Sequence, residues 1–584
     1  MKSNEKDVFS RRAFLGLAGA AAGVATIAAI GMDQDQQANV PDIDPDAFKQ
    51  QDHQNDVLVI GGGVAGVFAA VKAKDAGADV LLVAKGGLGT SGQTPFAKGV
   101  FSFDEETSGM SLDEFTKKVS QSALNSNNAV YTRQMAQHSK ARVEELRSWG
   151  FFDQALCRDP LQKPILEREI PVVERAIITH LIKEEGKIVG AAGFSVDEQT
   201  LHIFRAKSVI LCTGAGGFKP NGFPICDLTH DGTVMAYNIG VKVTGKEWND
   251  GHPGAAKNSA ATFDNWHGMF ERIPGTTSVE IRHDLGVDLN YQAYMKGGPV
   301  DMGPPGASAS GDIVTGGPYK PEGYDRPGPG GDKHGPPPGG GHGPEGEGGL
   351  PPGMNKESVG GSSAGLAIHK SEGIVPINDQ CESTTPGLYA AGDALGSYMA
   401  GAIYTQIGSS MAGSSVQGAI AGEAAAGYVK DKGFTTIPES KIKSVQKEIL
   451  APLKRDSGYS PAWVTQTLQG IVIPNFVLYI KKERMLQSAL GYVEELRDHH
   501  MPMLKASNMH ELRLAHETTN MIISAEMKLK ASLMRKESRL SHYRLDYPEM
   551  DDENWQAWIN IYKDNEGIMQ FEKQPFGTWP ELNS

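Results

Sequence analysis

The sequence predicts an α/β protein built around a parallel sheet, and three observations between residues 57 and 83 carry that prediction. Residues 57–60 are four consecutive apolar residues, mostly β-branched, which is typical of a strand buried on both faces. A helical pattern of apolar residues then runs from Val67 to Ala73 and ends at Gly77. Residues 80–83 form a second apolar run, so the three segments together predict a βαβ unit.

The turn between the first strand and the helix is rich in glycine. Gly61, Gly63 and Gly66 fit the pattern G-x-G-x-x-G. In that pattern the first glycine permits a tight turn, the second admits a pyrophosphate close to the backbone, and the third lets helix and strand pack closely. A glycine-rich turn in some other α/β protein is the alternative. The order of strand, turn, helix and strand favours a Rossmann-like dinucleotide site, with the helix N-terminus facing the phosphate charge.

The segment after the second strand extends this site. Residues 84–94 form a turn-rich loop whose hydroxyl groups and backbone amides continue the phosphate cradle. Ala84 ends the second strand at the position where an NAD-binding protein carries an Asp or Glu for the ribose. The sequence therefore argues against a simple NAD site.

Length, charge and cysteine spacing limit the possible functions. The chain has 584 residues, which suggests two to four domains, and its net charge of −14 disfavours nucleic acid and anionic lipid as partners. The four cysteines (Cys157, Cys212, Cys226 and Cys381) are scattered and show no iron–sulfur, haem or zinc spacing. We therefore predict no metal site, and electrons that enter or leave the protein require a separate carrier.

The N-terminus resembles a twin-arginine export signal over residues 1–32. Arg11 and Arg12 stand in the context Ser-Arg-Arg-Ala-Phe-Leu-Gly, before a weakly hydrophobic run rich in Ala and Gly. A transmembrane anchor is the alternative, but the run is short and alanine-rich for that. This pattern predicts export of the folded protein by the twin-arginine machinery, to the periplasm or the outer face of the cytoplasmic membrane. Residues 33–55 are polar and predict a linker.

Further elements follow in the order expected of a larger α/β domain. Residues 127–150 show a helical pattern, and the segments 172–177, 188–194 and 206–211, which are rich in apolar residues, predict further strands. The last of these strands ends in a glycine-rich turn at Thr213 and Gly214. A helix is predicted to begin near Asp231.

These segments, taken in order, resemble a known family. The N-terminal unit, the strand end at 209–214, the Thr-His-Asp-Gly start at 229–232 and residues 385–393 (TPGLYAAGD) are similar to the flavoprotein subunit of succinate dehydrogenase and fumarate reductase. Residues 535–548 (RKESRLSHYRLDYP) match the C-terminal signature of that family. The wider family includes L-aspartate oxidase and the adenylylsulfate reductase α subunit. The tail from Asp551 to Trp579 is most similar to adenylylsulfate reductase.

The resemblance implies a Rossmann-like FAD-binding domain in two parts, 56–248 and 366–437. It also implies a capping domain over 249–365 and a C-terminal helical domain with a tail over 438–584. Within the cap, 33 of the 57 residues from 297 to 353 are Gly or Pro, which predicts an irregular insert.

The implied cofactor is FAD. Because Gly92 stands where family members with covalent FAD carry a histidine, we expect non-covalent binding. The candidate FAD-binding residues are Gly61, Gly63, Ala65, Gly66, Ala84, Lys85, Ser91, Gly92, Thr94, Ala176, Thr213, Gly214, Asp231, Gly392, Asp393, Ser409 and Ser410.

The substrate side departs from the family pattern. His252 aligns with the histidine that binds a substrate carboxylate in fumarate reductases, but Thr405 replaces the substrate-binding arginine. The cap also lacks the family's Thr-His-Arg-x-x-Pro-Arg-Gly segment, whose arginine donates the proton. The candidate catalytic residues are His252, Tyr398, Tyr404, Asp250 and, from the C-terminal signature, Arg539.

The sequence therefore predicts an exported, FAD-dependent oxidoreductase similar to fumarate reductase. It is expected to reduce an activated C=C bond of a small molecule other than a plain C4 dicarboxylate. The expected electron donor is a separate iron–sulfur, cytochrome or quinol-linked partner. Two alternatives stay open: an adenylylsulfate-reductase-like enzyme acting on a sulfur compound, and a flavin electron-transfer subunit without substrate turnover.

Overall fold

A computed structural model describes residues 43–249, 253–255, 269–279, 281, 300–301, 358–363, 370–402, 406 and 408–578. The described helices and strands belong to one compact unit, Asp44–Ser584. The predicted export signal and most of the predicted cap, including the bulk of the Gly- and Pro-rich insert, lie outside the described residues.

The described strands alternate with helices in the N-terminal half, and helices predominate after residue 408. The strands are β1 (Lys49–Ile60), β2 (Val80–Val83), β3 (Gly99–Phe101), β4 (Val172–Val173), β5 (Ala176–Glu184), β6 (Lys187–Ser195), β7 (Thr200–Leu211), β8 (Val243–Thr244), β9 (Pro253–Ala255), β10 (Gly275–Thr277), β11 (Val300–Asp301), β12 (Ser358–Ser363), β13 (Gly373–Ile374), β14 (Leu388–Ala390), β15 (Ile480–Lys481), β16 (Tyr543–Arg544), β17 (Ala557–Lys563) and β18 (Met569–Pro575). The α-helices are α1 (Val64–Asp75), α2 (Glu105–Ser108), α3 (Leu112–Ser122), α4 (Ala129–Trp149), α5 (Arg158–Glu167), α6 (Asp231–Asn238), α7 (Ser409–Val429), α8 (Glu439–Leu450), α9 (Pro461–Val472), α10 (Asn475–Leu478), α11 (Glu483–Glu495), α12 (Met509–Met534) and α13 (Asp552–Trp555).

The central sheet has seven strands, in the order β4-β2-β1-β7-β6-β5, with β14 also paired to β7. Strands β4, β2, β1, β7 and β14 are parallel, whereas β5 and β6 form an antiparallel extension. The register places Ile60 beside Val83 and beside Leu211, and Leu211 beside Ala390. The carboxyl ends of β1, β2, β7 and β14 therefore lie level at one edge of the sheet. Open α/β sheets bind their ligands at this edge.

Helices α1 and α7 cross in close contact. An added Cβ at Gly418 would lie 2.3 Å from the carbonyl oxygen of Ala65, and one at Gly422 would lie 2.4 Å from that of Ala69. Glycine is required at both positions because any side chain would push the helices apart. Helix α1 is buried on all sides, so it shows no polar face.

Strand β1 begins earlier than its apolar residues indicate. The prediction of a linker over 33–55 is wrong for its last seven residues, because Lys49 already pairs with Thr200 of β7. Most side chains of residues 49–55 are exposed, so the sequence shows no run of apolar residues that would predict a strand there. The backbone of β7 supplies the hydrogen bonds that hold the extension in the sheet.

The C-terminal region is less uniformly helical than predicted. Helices α9, α11 and α12 pack around one apolar cluster that includes Leu468, Leu486 and Ile522. The tail then forms the hairpin β17–β18, which completes a four-stranded sheet with β8 and β13. This pairing joins the tail to β8, which lies in the N-terminal half of the chain, and only long-range contacts determine it.

No helix among the described residues has the length and apolar character needed to cross a bilayer.

Candidate active site

The carboxyl edge of the parallel strands opens onto a cavity of about 570 Å³. This is within the range of small-molecule and cofactor pockets, about 300–1,000 Å³. Fourteen of the seventeen predicted cofactor-binding residues line it: Gly61, Gly63, Ala65, Lys85, Ser91, Gly92, Thr94, Ala176, Thr213, Gly214, Asp231, Gly392, Asp393 and Ser410.

The glycine turn has the geometry that close ligand approach requires. Gly61 has a φ of +125°, and a Cβ there would lie 2.1 Å from the carbonyl oxygen of Cys212. A Cβ at Gly66 would lie 1.8 Å from the carbonyl oxygen of Gly61. At Gly63, in contrast, a Cβ would meet only the Thr94 hydroxyl, at 3.2 Å. Gly61 and Gly66 are therefore required by packing, whereas Gly63 leaves one side of the turn open to the cavity.

Three predicted residues do not line the cavity. Gly66 packs against the turn itself, and the Ala84 amide donates a 2.8 Å hydrogen bond to the carbonyl of Val173. The Ser409 hydroxyl donates to the carbonyl of Gln406, which precedes α7, at 2.9 Å. The structure therefore assigns these three residues to the shape of the walls.

Lys85 and Asp231 form a charged corner of the cavity. The Lys85 ammonium lies 2.7 Å from the Asp231 carboxylate, 2.6 Å from Glu517 and 2.9 Å from the Thr229 hydroxyl. Burial by itself would lower the pKa of Lys85, but the carboxylates of Asp231 and Glu517 outweigh it and raise the pKa. Lys85 therefore stays charged and holds Asp231 at the start of α6.

The loop after β2 is braced from two sides. The Gly92 amide donates to the Asp227 carboxylate at 2.9 Å, and the Thr94 hydroxyl accepts from the Val64 amide at 3.2 Å. Thr94 thereby caps the N-terminus of α1 in place of a side chain at Gly63. Gly92 has a φ of +71°, and a Cβ there would meet nothing within 4 Å.

A second buried ion pair borders the cavity at the end of β14. The Lys370 ammonium lies 3.1 Å from the Asp393 carboxylate and donates to the Ser414 hydroxyl at 2.8 Å. The Ser410 hydroxyl donates to the same carboxylate at 3.1 Å. Asp393 is therefore held in place by two neighbours, with Asp393, Ser410 and Ser414 all in the cavity wall.

Several residues that line the cavity belong to none of the sequence motifs. The wall includes the apolar residues Ile177, Ile178, Ile225, Leu228 and Met235, and the polar residues Gln93, Lys98 and Asp227. In the sequence they look like ordinary strand, loop or helix residues. Proximity to the predicted motifs is the only signal that points to Cys212, Gln93 and Met411.

Two of the predicted catalytic residues lie away from the cavity. Tyr398 is fully buried, its hydroxyl lies 3.2 Å from the Thr244 hydroxyl, and its ring packs on Trp558. Burial raises the pKa of Tyr398, which disfavours its ionisation. Arg539 is 1% exposed and binds Glu537 and Asp552. Neither residue lines this cavity, and the contacts of both among the described residues are packing, hydrogen-bond and ion-pair contacts.

The other three catalytic candidates, His252, Asp250 and Tyr404, lie outside the described residues, as does Thr405. Their neighbours are described. Asn249 donates to the carbonyl of Leu478 at 2.7 Å, and the Ser541 hydroxyl donates to the carbonyl of Ala402 at 3.1 Å. The segments that lead into the candidate substrate side are thus both held by the C-terminal region.

Comparison with known families decides the identity of this site. The sequence profile of the family described as FAD dependent oxidoreductase matches residues 56–219. The profile described as fumarate reductase flavoprotein C-term matches residues 466–579. This chain is an FAD-dependent oxidoreductase of the succinate dehydrogenase and fumarate reductase family.

Individual relatives of this flavoprotein cover most of its length. An uncharacterised FAD-dependent oxidoreductase of Methanocaldococcus jannaschii is 25% identical, over 87% of this chain and 96% of the relative. A fumarate reductase (CoM/CoB) subunit from Methanothermobacter marburgensis is also 25% identical, over 87% of this chain and 97% of the relative. The structure of adenylylsulfate reductase from Archaeoglobus fulgidus shares the fold, with a TM-score of 0.66 and 20% identity over 93% of this chain and 99% of the other.

The cavity of this flavoprotein fits its cofactor, FAD. The open side of Gly63 and the N-terminus of α1 suit the pyrophosphate. Asp231 and Asp393 place carboxylate oxygens in the wall, where hydroxyl groups of the cofactor can donate to them. At Gly92 the chain has no side chain that can form a covalent bond to the flavin.

Proposed function

We propose that this flavoprotein is an exported reductase of an activated C=C bond, in a substrate other than a plain C4 dicarboxylate. The proposal rests mainly on the contrast between a retained cofactor side and a changed substrate side. Fourteen predicted cofactor residues line one cavity, whereas the substrate-binding arginine of the family is replaced by Thr405. FAD supplies the hydride chemistry, and the chain must supply substrate binding and a proton.

The arginines of the C-terminal signature do not replace the missing one. Arg535 donates all five of its N–H groups, to Glu247, Glu537 and the carbonyls of Trp555 and Ala557. A guanidinium that is fully used in this way cannot also grip a substrate carboxylate.

Arg544 is equally committed. Its five N–H groups go to Asp546, Glu483 and the carbonyls of Ser532 and Arg535. Both arginines are fully buried. Their engagement supports a substrate that carries fewer carboxylates than fumarate does.

Two uncharged polar residues that adjoin the candidate substrate residues in the sequence support the same conclusion. Gln406 is fully buried, and neither its amide nitrogen nor its carbonyl oxygen has a hydrogen-bond partner among the described residues. The side-chain oxygen of Asn249, which is 1% exposed, also lacks one there. A buried amide without a partner costs about 1–3 kcal/mol, so such groups point to a polar ligand. We infer that the substrate presents a neutral carbonyl, amide or hydroxyl group.

Two further features belong to the proposal. Arg11 and Arg12 in their Ser-Arg-Arg-x-Phe-Leu context support export by the twin-arginine route. The cysteine spacing provides no iron–sulfur or haem ligand set, which supports a separate electron carrier such as an iron–sulfur protein, a cytochrome or a quinol-linked enzyme.

Purified protein tests the activity directly. The assay follows reoxidation of reduced viologen dye with matched pairs of acceptors, each an unsaturated carboxylic acid and its neutral amide or ester. We expect turnover with neutral acceptors and little with fumarate. A yellow protein that is inert with every acceptor would favour an electron-transfer role, and a protein unable to bind FAD would overturn the assignment.

A pair of variants tests the substrate side. Thr405→Arg restores the family's cation, and we expect it to raise kcat/KM for fumarate relative to the neutral acceptors. His252→Ala should lower kcat/KM for all acceptors while FAD binding stays unchanged. Efficient fumarate turnover by the wild-type protein would show that Thr405 does not set specificity. Export is tested by fractionation of cells that carry the wild-type signal or the Arg11→Lys, Arg12→Lys variant.

A further inference from the structure

The long helix α12 presents a stripe of polar residues to the FAD-binding part of the chain. Arg513, Glu517, Asn520, Ser524 and Lys528 follow one another at spacings of three or four, so they share one face of the helix. Glu517 and Lys528 are each 1% exposed and Ser524 is fully buried. A buried polar stripe is costly unless it is paired, so its contacts are specific.

Glu517 lies at the centre of the contacts near the cavity. Its carboxylate lies 2.6 Å from the Lys85 ammonium, 2.8 Å from Lys219 and 2.9 Å from the Arg513 guanidinium. Burial by itself would raise the pKa of Glu517, but these three cations outweigh it and lower the pKa well below its usual range. Glu517 is therefore an anion that joins α12 to residues on both sides of the cavity's charged corner.

Glu517 itself does not line the cavity, but the residues it acts on do. Lys85 and Asp231 are both in the wall, and the amide of Asn520 donates to the Asp231 carboxylate at 2.8 Å. Lys85 also donates to the carbonyl of Asp227, another wall residue, at 3.0 Å. One turn of α12 thus contacts one carboxylate and one ammonium of this corner, those of Asp231 and Lys85.

We propose that Glu517 is a positioning residue for FAD. Through Lys85, with Asn520 beside it, Glu517 holds Asp231 in the orientation that binds the cofactor. The C-terminal helical region, and not the Rossmann-like part alone, therefore sets the affinity for FAD. Among the described residues, the hydrogen bonds of the glycine turn and the strand ends do not involve α12, so the effect of Glu517 on FAD affinity is separate from theirs.

The test compares two buried glutamates of the same helix in the full-length protein. Glu517→Gln removes the proposed anion. Glu526→Gln is the matched control, because Glu526 is 3% exposed and pairs with Arg497 and Lys530 away from the cavity. FAD dissociation constants are measured on apoprotein by quenching of flavin fluorescence, and apoprotein stability by thermal unfolding. We expect Glu517→Gln to weaken FAD binding at least tenfold and Glu526→Gln to change it less than twofold, although both lower stability.

Two further variants separate positioning from folding. In a Lys85→Met background, Glu517→Gln should cause no further loss of FAD affinity, because its effect passes through Lys85. Asn520→Ala removes the neighbouring contact on Asp231 without a change of charge, and should weaken FAD binding about threefold even if Glu517→Gln does not fold. Unchanged FAD affinity in Glu517→Gln, or in Asn520→Ala when the first variant is insoluble, would overturn the proposal. Equal weakening in Glu517→Gln and Glu526→Gln would also overturn it.

Discussion

The same substitution at the two glycines of α1's first turn should affect FAD affinity in both cases but apoprotein stability in only one. At Gly63 the φ of −81° suits alanine, and the added methyl would meet only the Thr94 hydroxyl, at 3.2 Å. We therefore expect Gly63→Ala apoprotein to unfold within about 0.5 kcal/mol of wild type. FAD affinity should fall because the methyl stands where the pyrophosphate approaches the backbone. Loss of one charge-assisted hydrogen bond costs about 1.5–3 kcal/mol, so the dissociation constant should rise by about 10- to 150-fold.

Gly66→Ala provides the contrast. Its Cβ would lie 1.8 Å from the carbonyl oxygen of Gly61, whereas Cβ contacts under 3.0 Å essentially do not occur. The turn and α1 must move apart by more than about 1 Å, and overpacking of this kind costs about 1–3 kcal/mol. This variant should lose both apoprotein stability and FAD affinity.

Urea unfolding of both apoproteins and titration with FAD, followed by flavin fluorescence, measure the two effects. The reasoning fails if Gly63→Ala binds FAD as the wild type does, or if Gly66→Ala apoprotein is as stable as wild type.

Three other predictions concern buried polar groups outside the cavity. Arg535→Met leaves the carboxylate of Glu247 without its buried partner and should lower the free energy of unfolding by about 3–5 kcal/mol in denaturant titrations. Tyr398→Phe removes one neutral hydrogen bond, to Thr244, and should cost about 1 kcal/mol while kcat in the viologen assay stays unchanged. Burial would raise the pKa of Glu372, but two buried lysines outweigh it and hold the pKa well below its usual range. Its stabilising contribution is therefore complete above about pH 4.5 and lost as the pH falls below that value, and Glu372→Gln should flatten the acid limb of the stability profile.

Each of these has a result that contradicts it. A fall in kcat of tenfold or more in Tyr398→Phe, at unchanged FAD content, would return Tyr398 to the catalytic residues. Stability of Arg535→Met within about 1 kcal/mol of wild type would show that Glu247 finds another partner. An acid limb that is the same in Glu372→Gln and wild type would assign acid unfolding to other carboxylates.

Local patterns in the sequence predicted seventeen cofactor-binding residues, of which fourteen line one cavity. The glycine turn, the strand ends and the starts of α1 and α6 each depend on residues close together in the chain. Because parallel strands end at one edge of the sheet, a prediction of the strands also brings Gly61, Thr213 and Gly392 together. That geometric rule is why widely separated motifs predicted one cavity.

Tyr398 and Arg539 show the limit of this reasoning. Each lies in or beside a segment that resembles a family motif, but a motif does not tell where a side chain points. In the structure Tyr398 contacts Thr244 and Arg539 contacts Glu537, because most buried polar groups are hydrogen-bonded and these partners are available only in the folded chain.

The sequence by itself determined the fold class and the family and predicted residues that line one cavity, because helix periodicity, strand burial and glycine spacing are local properties. Only the tertiary structure decided that β1 begins at Lys49, that the tail pairs with β8, and that Glu517 contacts Lys85. Lys85 and Glu517 are separated by more than four hundred residues, and although Lys85 is a candidate FAD-binding residue, Glu517 looks like an ordinary surface charge in the sequence. The tertiary fold brings α12 to the loop after β2, where Glu517 is 1% exposed, and a carboxylate buried to that extent needs a cationic partner such as Lys85.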